Sequence, residues 1–452
     1  MNRRLRLLHA FYSSGSAVQH AFGRRIRPAG AGALLVVSLA SFLTIGQPKS
    51  SVFAIFAFSL GLTIFALFWV VFRSAKLKAT HQLPRYATVG EPVRFSVILE
   101  NTSRRKLRAA LFGQTPPDPR PSLYEFSNLA EPGEEKRNIF DRTMVFYRWQ
   151  WLLSRKRGFT GGESTKPIDL DPGEKASVPM DITPARRGVI AMEGLRVLLP
   201  DPLGFFQKCK PVDTMPSRLV ILPQRFRIPR FEMPGSSAFR IGGEETSNSI
   251  GTSGEFVGLR EYRPGDPLRQ IHWKSWAHTG RPMVKELEDT FYPRYGLVLD
   301  TFPGSPDEQV FEGIVSIAAS FVVGLSGGEC LLDLMFIAGD AHNVTAGRDF
   351  EKSEKLLEVL AAVHVEKTEN FDLLTRTIRL HGENMTSCLI ILNGWDDTRK
   401  CFLNDLLKSG ILCVPLIVGT GETPPNIIGH WIDSNHISRD LLSLPTRLSA
   451  AI

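Results

Sequence analysis

Basic, acidic and aromatic side chains crowd one stretch of the sequence, Gly254-Glu-Phe-Val-Gly-Leu-Arg-Glu-Tyr-Arg-Pro-Gly-Asp-Pro-Leu-Arg-Gln-Ile-His-Trp-Lys274, which runs on to Lys285. Two kinds of chemistry fit it. Arg260, Arg269 and Lys274 are the residue types that line an anion or partner site. With Asp266 they equally make a capping and ion-pair network that fixes a linker, since both arrangements draw on the same residues. Pro264 and Gly265 suit the centre of a type II turn, because Pro fixes φ and Gly accepts a positive φ. Asp266 is then expected to cap a short helix opening at Pro267, with Trp273 packed beneath it. His272 has no nucleophile or second histidine beside it in the motif and reads as a packing residue. Further on, Tyr295-Gly-Leu-Val-Leu-Asp300 is an apolar strand ending in an acid, and Asn393 ends another. A hydrolase using Asp300 or His272 in a strand-end cleft is one reading, yet the chain has no GxSxG, HExxH, P-loop or Rossmann glycine run.

Positioning these residues takes folded lobes. After residues 295–300 a helical stretch over 308–325 carries apolar residues at Val310, Ile314, Ile317, Phe321 and Val322. A strand at 331–337, helices near 351–363 and 371–380, a strand at 388–393, a helix near 398–408 and a strand at 411–418 follow. Strands alternating with helices imply right-handed crossovers and a mostly parallel sheet covered on both faces. Sites in such sheets form beyond the carboxyl ends of the strands, where Asp300 and Asn393 both fall. Earlier in the chain, Val93-Arg-Phe-Ser-Val-Ile-Leu-Glu100 alternates with the period of a half-buried strand. Similar strands at 176–182, 189–199 and 219–222, with turns such as Asp171-Pro172-Gly173, argue for an immunoglobulin-like β-sandwich over 82–225. Residues 134–162 interrupt it with a segment dense in aromatic and basic side chains. One reading is a loop on an anionic leaflet, with Trp149 and Trp151 at the headgroups and Arg155, Lys156 and Arg157 near phosphates. The other is an insertion packed on the sandwich or on a neighbouring subunit.

The N-terminal region differs from both lobes. Residues 29–46 and 51–72 are uncharged apolar runs. A bilayer core of about 30 Å needs roughly 20 helical residues, so both are read as spans of a transmembrane hairpin. Arg3, Arg4, Arg6, Arg24, Arg25 and Arg27 precede the first, Arg73, Lys76 and Lys78 follow the second, and only Lys49 lies between. Basic flanks stay inside, which puts both ends and the soluble body in the cytoplasm. Removing those ten charges from the chain's net +8 leaves −2 after Thr80, so the basic balance belongs to the anchor and its lipid. A nucleic-acid binder would need a basic soluble domain, and no nucleic-acid partner is expected. The five cysteines are scattered, with no CxxC pair, which suggests neither a disulfide framework nor a zinc site.

The apolar hairpin, the sandwich, the Arg186-Arg187-Gly188 and Asp201-Pro202-Leu203-Gly204 turns and the long signature together resemble the family called domain of unknown function 58 (DUF-58). Matching signature positions are Arg260, Tyr262, Gly265, Asp266, Arg269, Trp273, Lys274 and Lys285. The resemblance covers nearly the whole chain. It implies an α+β multidomain protein: a basic N-terminus (1–28), two transmembrane helices (29–72), the sandwich, a signature linker (226–289) and a Rossmann-type lobe (290–452) similar to the von Willebrand factor A domain. It further implies a prokaryotic, membrane-tethered protein; with the anchor, the two recognition-type folds and no complete catalytic set, the chain is expected to be a multi-pass, cofactor-free, non-catalytic adaptor or scaffold of the cytoplasmic membrane. The expected partners are membrane lipid, a MoxR-type AAA+ ATPase and protein clients whose complexes are assembled or remodelled. A-domains of this kind hold a divalent ion through an Asp-x-Ser-x-Ser strand-end motif, a distant Thr and a later Asp. Here Asp300 takes the first position, Phe302 and Gly304 replace the two serines, and Asn393 stands where the later Asp would be. Thr301, Ser305 and Asp307 lie near enough in sequence to compensate, but one carboxylate and one amide are too few for a hard cation, and no metal is expected.

Overall fold

The structure, a computed structural model, describes residues 3–45, 51–229, 231–234, 255–288, 293–304, 307–326, 330–346, 350–382 and 385–445. The chain divides into two units, Met1–Gln224 and Arg225–Ile452.

The first unit opens with α1 (Arg3–Gly23), α2 (Pro28–Leu43) and α3 (Ser51–Phe72). At 22 residues α3 is long and apolar enough to cross a membrane, and most of its surface is exposed. At 16 residues α2 is shorter than the expected span. A rise of 1.5 Å per residue gives it about 24 Å against a bilayer core of about 30 Å. Thr44 ends it, its hydroxyl donating to the Ala40 and Ser41 carbonyls, and Gly46 lies outside the described residues. The helix Glu308–Leu325 in the second unit passes the same length and hydropathy test but is mostly buried, as a core helix would be.

Helix α1 is a second departure from expectation, which held residues 1–28 only as a basic flank. Leu5, Leu8 and Tyr12 on one face pack on a cluster of Phe126, Val145, Trp149 and Leu152. Those four come from α4 (Leu123–Asn128), Val145, which precedes α6, and α6 itself (Phe146–Lys156), with α5 (Ile139–Met144) lying just before. The insertion is therefore helical, and its partner is α1. Trp149 is only 2% exposed and cannot sit among lipid headgroups, so that part of the leaflet reading is wrong. Arg155 stacks over Trp151 with 4.6 Å to the ring centroid, and Lys156 pairs with Glu125 at 2.6 Å. On its other face α1 exposes Leu7, Phe11, Val18 and Phe22, which share one helical stripe.

The sandwich begins at Leu77, five residues earlier than the alternation suggests. One sheet orders β1 (Leu77–Gln82), β3 (Val93–Asn101), β5 (Phe159–Gly161), β7 (Lys175–Pro184) and β11 (Asp213–Thr214) as β11-β1-β3-β7-β5. The facing sheet orders β4 (Leu107–Gln114), β6 (Ile168–Leu170), β9 (Leu195–Pro200) and β10 (Gln207–Pro211) as β10-β9-β4-β6. A third, β2-β12-β8, joins β2 (Tyr86–Thr88), β8 (Gly188–Ala191) and β12 (Arg218–Leu222). Alternate residues Phe95, Val97 and Leu99 of β3 meet Phe112 of β4 and Val197 of β9 in one shared core, as the period of two requires. The single strand expected over 189–199 is two, broken where Gly194 comes so close to Thr115 that an added Cβ would lie 2.2 Å from its carbonyl oxygen.

The sandwich grips the foot of the apolar hairpin. The turn after β9 is closed by Asp201, whose Oδ1 accepts the Leu203 N–H at 2.6 Å. It delivers Phe205 and Phe206 onto Ile26, Ala66 and Val70. The Arg27 N–H donates to the Phe205 carbonyl at 3.0 Å, and the Gln207 N–H to that of Arg25 at 2.8 Å. A Cβ on Gly30 would fall 2.0 Å from the Phe205 oxygen, which is why the helix entry needs glycine there.

In the second unit β13 (Glu255–Glu261) and β14 (Met283–Glu288) form an antiparallel hairpin enclosing α7 (Trp273–Thr279). A sheet follows with β15 (Arg294–Leu299), β16 (Leu331–Ala338), β17 (Asp340–Ala346), β18 (Ser387–Asn393), β19 (Cys413–Gly419) and β20 (His430–Asp433) in the order β17-β16-β15-β18-β19-β20. All pairings are parallel except that of the edge strand β17. With β15 at the point where strand order reverses, this is the doubly wound arrangement. Helices α8 (Glu308–Ser326), α9 (Phe350–Ala362), α10 (Phe371–Gly382), α11 (Asp397–Lys408) and α12 (Ile437–Leu442) connect or follow the strands. The segment after Gln224 docks on α8, with the Phe226 N–H donating to Ser320 Oγ at 2.8 Å and the Phe231 ring 5.1 Å from that of Phe321.

The α1 contact has a direct test. Trp149→Ala should cost about 3–5 kcal/mol locally, as large-to-small core changes do. Limited proteolysis should then cut faster within 120–157 while fragments of the second unit stay unchanged; unaltered cleavage of the insertion would contradict the packing described.

Candidate functional site

The carboxyl end of β15 is where the doubly wound topology forms a crevice, and Asp300 sits there with its side chain fully buried. Both of its oxygens accept hydrogen bonds from the protein. Oδ1 accepts the Phe302 N–H at 3.0 Å, and Oδ2 accepts the Asn393 N–H at 2.9 Å and Arg399 Nε at 2.7 Å. Arg399, from α11, is also 0% exposed. Its remaining nitrogens donate to the Pro303 carbonyl at 3.0 Å and to the carboxylate of Asp396, the N-cap of that helix. The guanidinium thus stands beside Asp300 as an internal cation. Desolvation pushes the Asp300 carboxyl upward from its ordinary value, opposed by the Arg399 charge and the two N–H donors. Desolvation likewise works against the Arg399 charge, but Asp300 and Asp396 outweigh it and hold Arg399 above its ordinary value. A guanidinium does not give up its proton in a protein, and all three groups that reach the Asp300 oxygens are donors.

The neighbours fit round this pair. Phe302 turns into the core, its ring 4.6 Å from that of Phe371. Gly304 lies so close to β18 that a Cβ would come 2.0 Å from the Asn393 carbonyl oxygen and 2.9 Å from Arg399 Nη2. A serine at that position has no room. Asn393 donates its side-chain amide to the Phe302 carbonyl at 2.9 Å, and its Oδ1 alone among these atoms meets no donor among the described residues. Of the residues expected to compensate for missing ligands, Thr301 donates to the Ile337 carbonyl at 2.7 Å. Asp307 accepts the Gln309 N–H at 2.9 Å at the start of α8, and Ser305 lies outside the described residues. Arg399 is the residue that sequence reasoning missed.

The signature segment forms the β13–β14 hairpin; Gly254 lies outside the described residues. Arg263 to Asp266 make the expected turn, with Gly265 at φ +110 and the Asp266 N–H donating to the Arg263 carbonyl at 3.0 Å. Asp266 does not cap the helix after Pro267. The short 3₁₀ turn Leu268–Gln270 has no side-chain cap, because both Asp266 oxygens face backward to Arg260. The two residues bond fork to fork at 2.7 Å and 2.7 Å, and the Arg263 N–H adds a third bond at 2.8 Å. Arg260, which was expected to line an anion site, is thereby committed within the hairpin. His272 is a cap rather than a packing residue, its Nδ1 accepting the Ser275 N–H at 3.3 Å. The Tyr262 N–H donates to the Pro282 carbonyl at 2.9 Å across the hairpin. Trp273 does not pack beneath the turn. It is 64% exposed and stacks on Trp276 at 5.3 Å; Leu268, at 67%, Arg269, Lys274 and Lys285 on β14 are exposed too.

No family model matches the chain, and no curated protein matches it either. Solved structures similar to parts of it are the PapD-like domain 7 of human CEP192 and the CARDB domain of PF1109 from Pyrococcus furiosus. The first is 14% identical with a TM-score of 0.16, covering 33% of this chain and 84% of that one. The second is 9% identical with a TM-score of 0.15, covering 30% and 94%. Similarity this slight carries no argument about function.

Removing one partner of a buried ion pair leaves the other charge uncompensated. Arg399→Gln should therefore destabilise the second unit by ~3–5 kcal/mol in urea denaturation, with most of the loss recovered in Asp300→Asn/Arg399→Met. A double variant no more stable than Arg399→Gln would show that the pair is not the coupled unit described. Arg260, followed by the Arg263 N–H, holds the Asp266 carboxyl down to about 2. Its folded value lies below its unfolded one, so its contribution is complete above the ordinary aspartate value of about 3.9 and disappears as pH falls through the folded value. Tryptophan fluorescence of the hairpin should change over that window in the wild type and not in Asp266→Asn; superimposable profiles would contradict the assignment.

Proposed function

We infer that the chain is a membrane-tethered, non-catalytic adaptor of the DUF-58 kind, whose second unit is a degenerate A-like lobe. The observation that carries this reading is the Arg399 guanidinium at the carboxyl end of β15. It sets a fixed positive charge against Asp300, both side chains being 0% exposed, where a divalent ion would have to place its own. The strand order with a reversed edge strand supports the A-like assignment, and fold alone implies no chemistry. A hydrolase working through Asp300 would need a carboxylate that solvent can reach, whereas this one has 0% exposure.

What the second unit offers outward is a surface of the type that binds proteins. Tryptophan and arginine dominate interface hot spots, and Leu268, Arg269, Trp273 and Lys274, all exposed, lie within seven residues of one another in the segment between β13 and β14. The partner in this reading is a MoxR-type AAA+ ATPase, and the work is assembly or remodelling of client complexes. The membrane side follows from α3, the shorter α2 and the exposed stripe of α1, all bordered by arginine. The soluble units then face the cytoplasm, where ATP is available.

Immunoprecipitation of the full chain from detergent-solubilised membranes should recover an AAA+ ATPase. Trp273→Ala with Arg269→Glu should reduce that recovery about tenfold or more, as loss of hot-spot side chains does. Repeated recovery of the wild-type protein alone would count against the adaptor.

A further inference from the structure

The foot of α3 borders a cavity of about 650 Å³. Its wall has two chemistries. Phe68, Trp69 and Phe72 come from the last turns of the apolar helix, while Arg73, just beyond it, Lys106, just before β4, and Arg108, in β4, supply positive charge. We propose that this cavity is a binding site for an anionic phospholipid, with the phosphate on Arg73, Lys106 and Arg108 and an acyl chain along the aromatic ladder of α3. The proposal rests on the reading of α3 as a membrane span.

The basic wall is held by a distortion in β4. Pairing runs Leu107 to Leu170 and Ala110 to Ile168, so Arg108 and Ala109 oppose the single residue Asp169. This is a β-bulge, a device that re-aims a side chain at a sheet margin. Ala109 carries the cost, with φ at +48 although it is not glycine. Strain of this kind persists only where the surroundings impose it, and it gathers at functional sites. Two charged groups impose it here. Asp169 Oδ1 accepts the Ala109 N–H at 2.7 Å, and the Arg73 guanidinium donates to the Arg108 carbonyl.

The charge balance then favours an anion. Arg73 also donates to the Pro200 carbonyl at 2.6 Å, so its hydrogen bonds go to neutral carbonyls. Burial pushes Arg73 below its ordinary value, with Asp169 acting against that. The Arg108 side chain is exposed and meets no acceptor among the described residues. Lys106 has Asp171 at 3.0 Å, but both are well exposed, and such a surface pair is weak. The carboxylate in the wall, Asp201, has its oxygens on the N–H groups of Leu203 and Phe206. A phosphate with two apolar tails suits this wall better than a free anion, because the apolar half of the cavity continues along exposed Phe68 and Phe72. Basic pockets beside membrane helices on the cytoplasmic side take such headgroups.

The test uses the full chain, purified and delipidated in detergent, in native mass spectrometry with dioleoylphosphatidylglycerol, dioleoylphosphatidylcholine or glycerol phosphate. One phosphatidylglycerol should be retained with about tenfold preference over phosphatidylcholine, as charge-assisted hydrogen bonds allow. Arg108→Gln should abolish most of that preference, and Lys106→Gln should reduce it. Equal retention of both lipids, or an unchanged preference in both variants, would overturn the proposal. So would binding of glycerol phosphate as tight as that of the lipid, which would identify a soluble anion instead. Alkaline carbonate washing of membranes separates this from the anchor itself: the wild type and Arg108→Gln should both stay in the pellet, and release of both would instead defeat the reading of α3 as a span.

Discussion

A carboxylate buried at the end of a central strand must be matched by a cation, and at Asp300 that cation is covalently part of the chain. Taking an isolated carboxylate out of water costs many kcal/mol unless charge and hydrogen bonds compensate it. Arg399 and two backbone N–H groups do so here. The constraint explains the neighbouring residues together. Glycine at 304 gives the Arg399 guanidinium its space, phenylalanine at 302 fills the volume a solvated ligand cluster would leave, and Asp396 both caps α11 and shares the guanidinium. A strand end built this way holds Asp300 away from solvent.

Much of this fold was legible because it depends on periodicity. The period of two in Phe95, Val97 and Leu99 and the helical stripe from Val310 to Val322 both lie where their patterns indicate. The strand at 295–300 and that at 388–393 were found within a residue of their ends. Partners far apart in sequence were not legible. Arg399 lies among Asp396, Asp397 and Lys400 and reads as part of a solvated helix face, and only the pairing of β15 with β18 brings it to Asp300. Trp149 looked like an interfacial tryptophan because its covering residues, Leu8 and Tyr12, are far away in α1. Strands β17 and β20 escaped notice because both are edges, where burial no longer imposes a clear pattern. Within the signature, turn chemistry identified Pro264 and Gly265, but the choice of Asp266 between a cap and Arg260 is a matter of geometry that spacing does not encode.

At the apolar N-terminal helices a different constraint operates. Helices α2 and α3 have little polar surface with which to orient themselves, so orientation comes from what grips their feet. Phe205 and Phe206, the strained β4 bulge and Arg73 provide that grip. The sandwich thus fixes the feet of the apolar helices, while the hairpin of the second unit carries the exposed tryptophan and arginine.

Isothermal titration calorimetry of Mg²⁺ or Mn²⁺ into the purified wild-type protein tests the central claim most directly. With Arg399 serving as the cation for Asp300, no micromolar binding heat is predicted for either metal. Micromolar binding that disappears in Asp300→Ala would contradict the account.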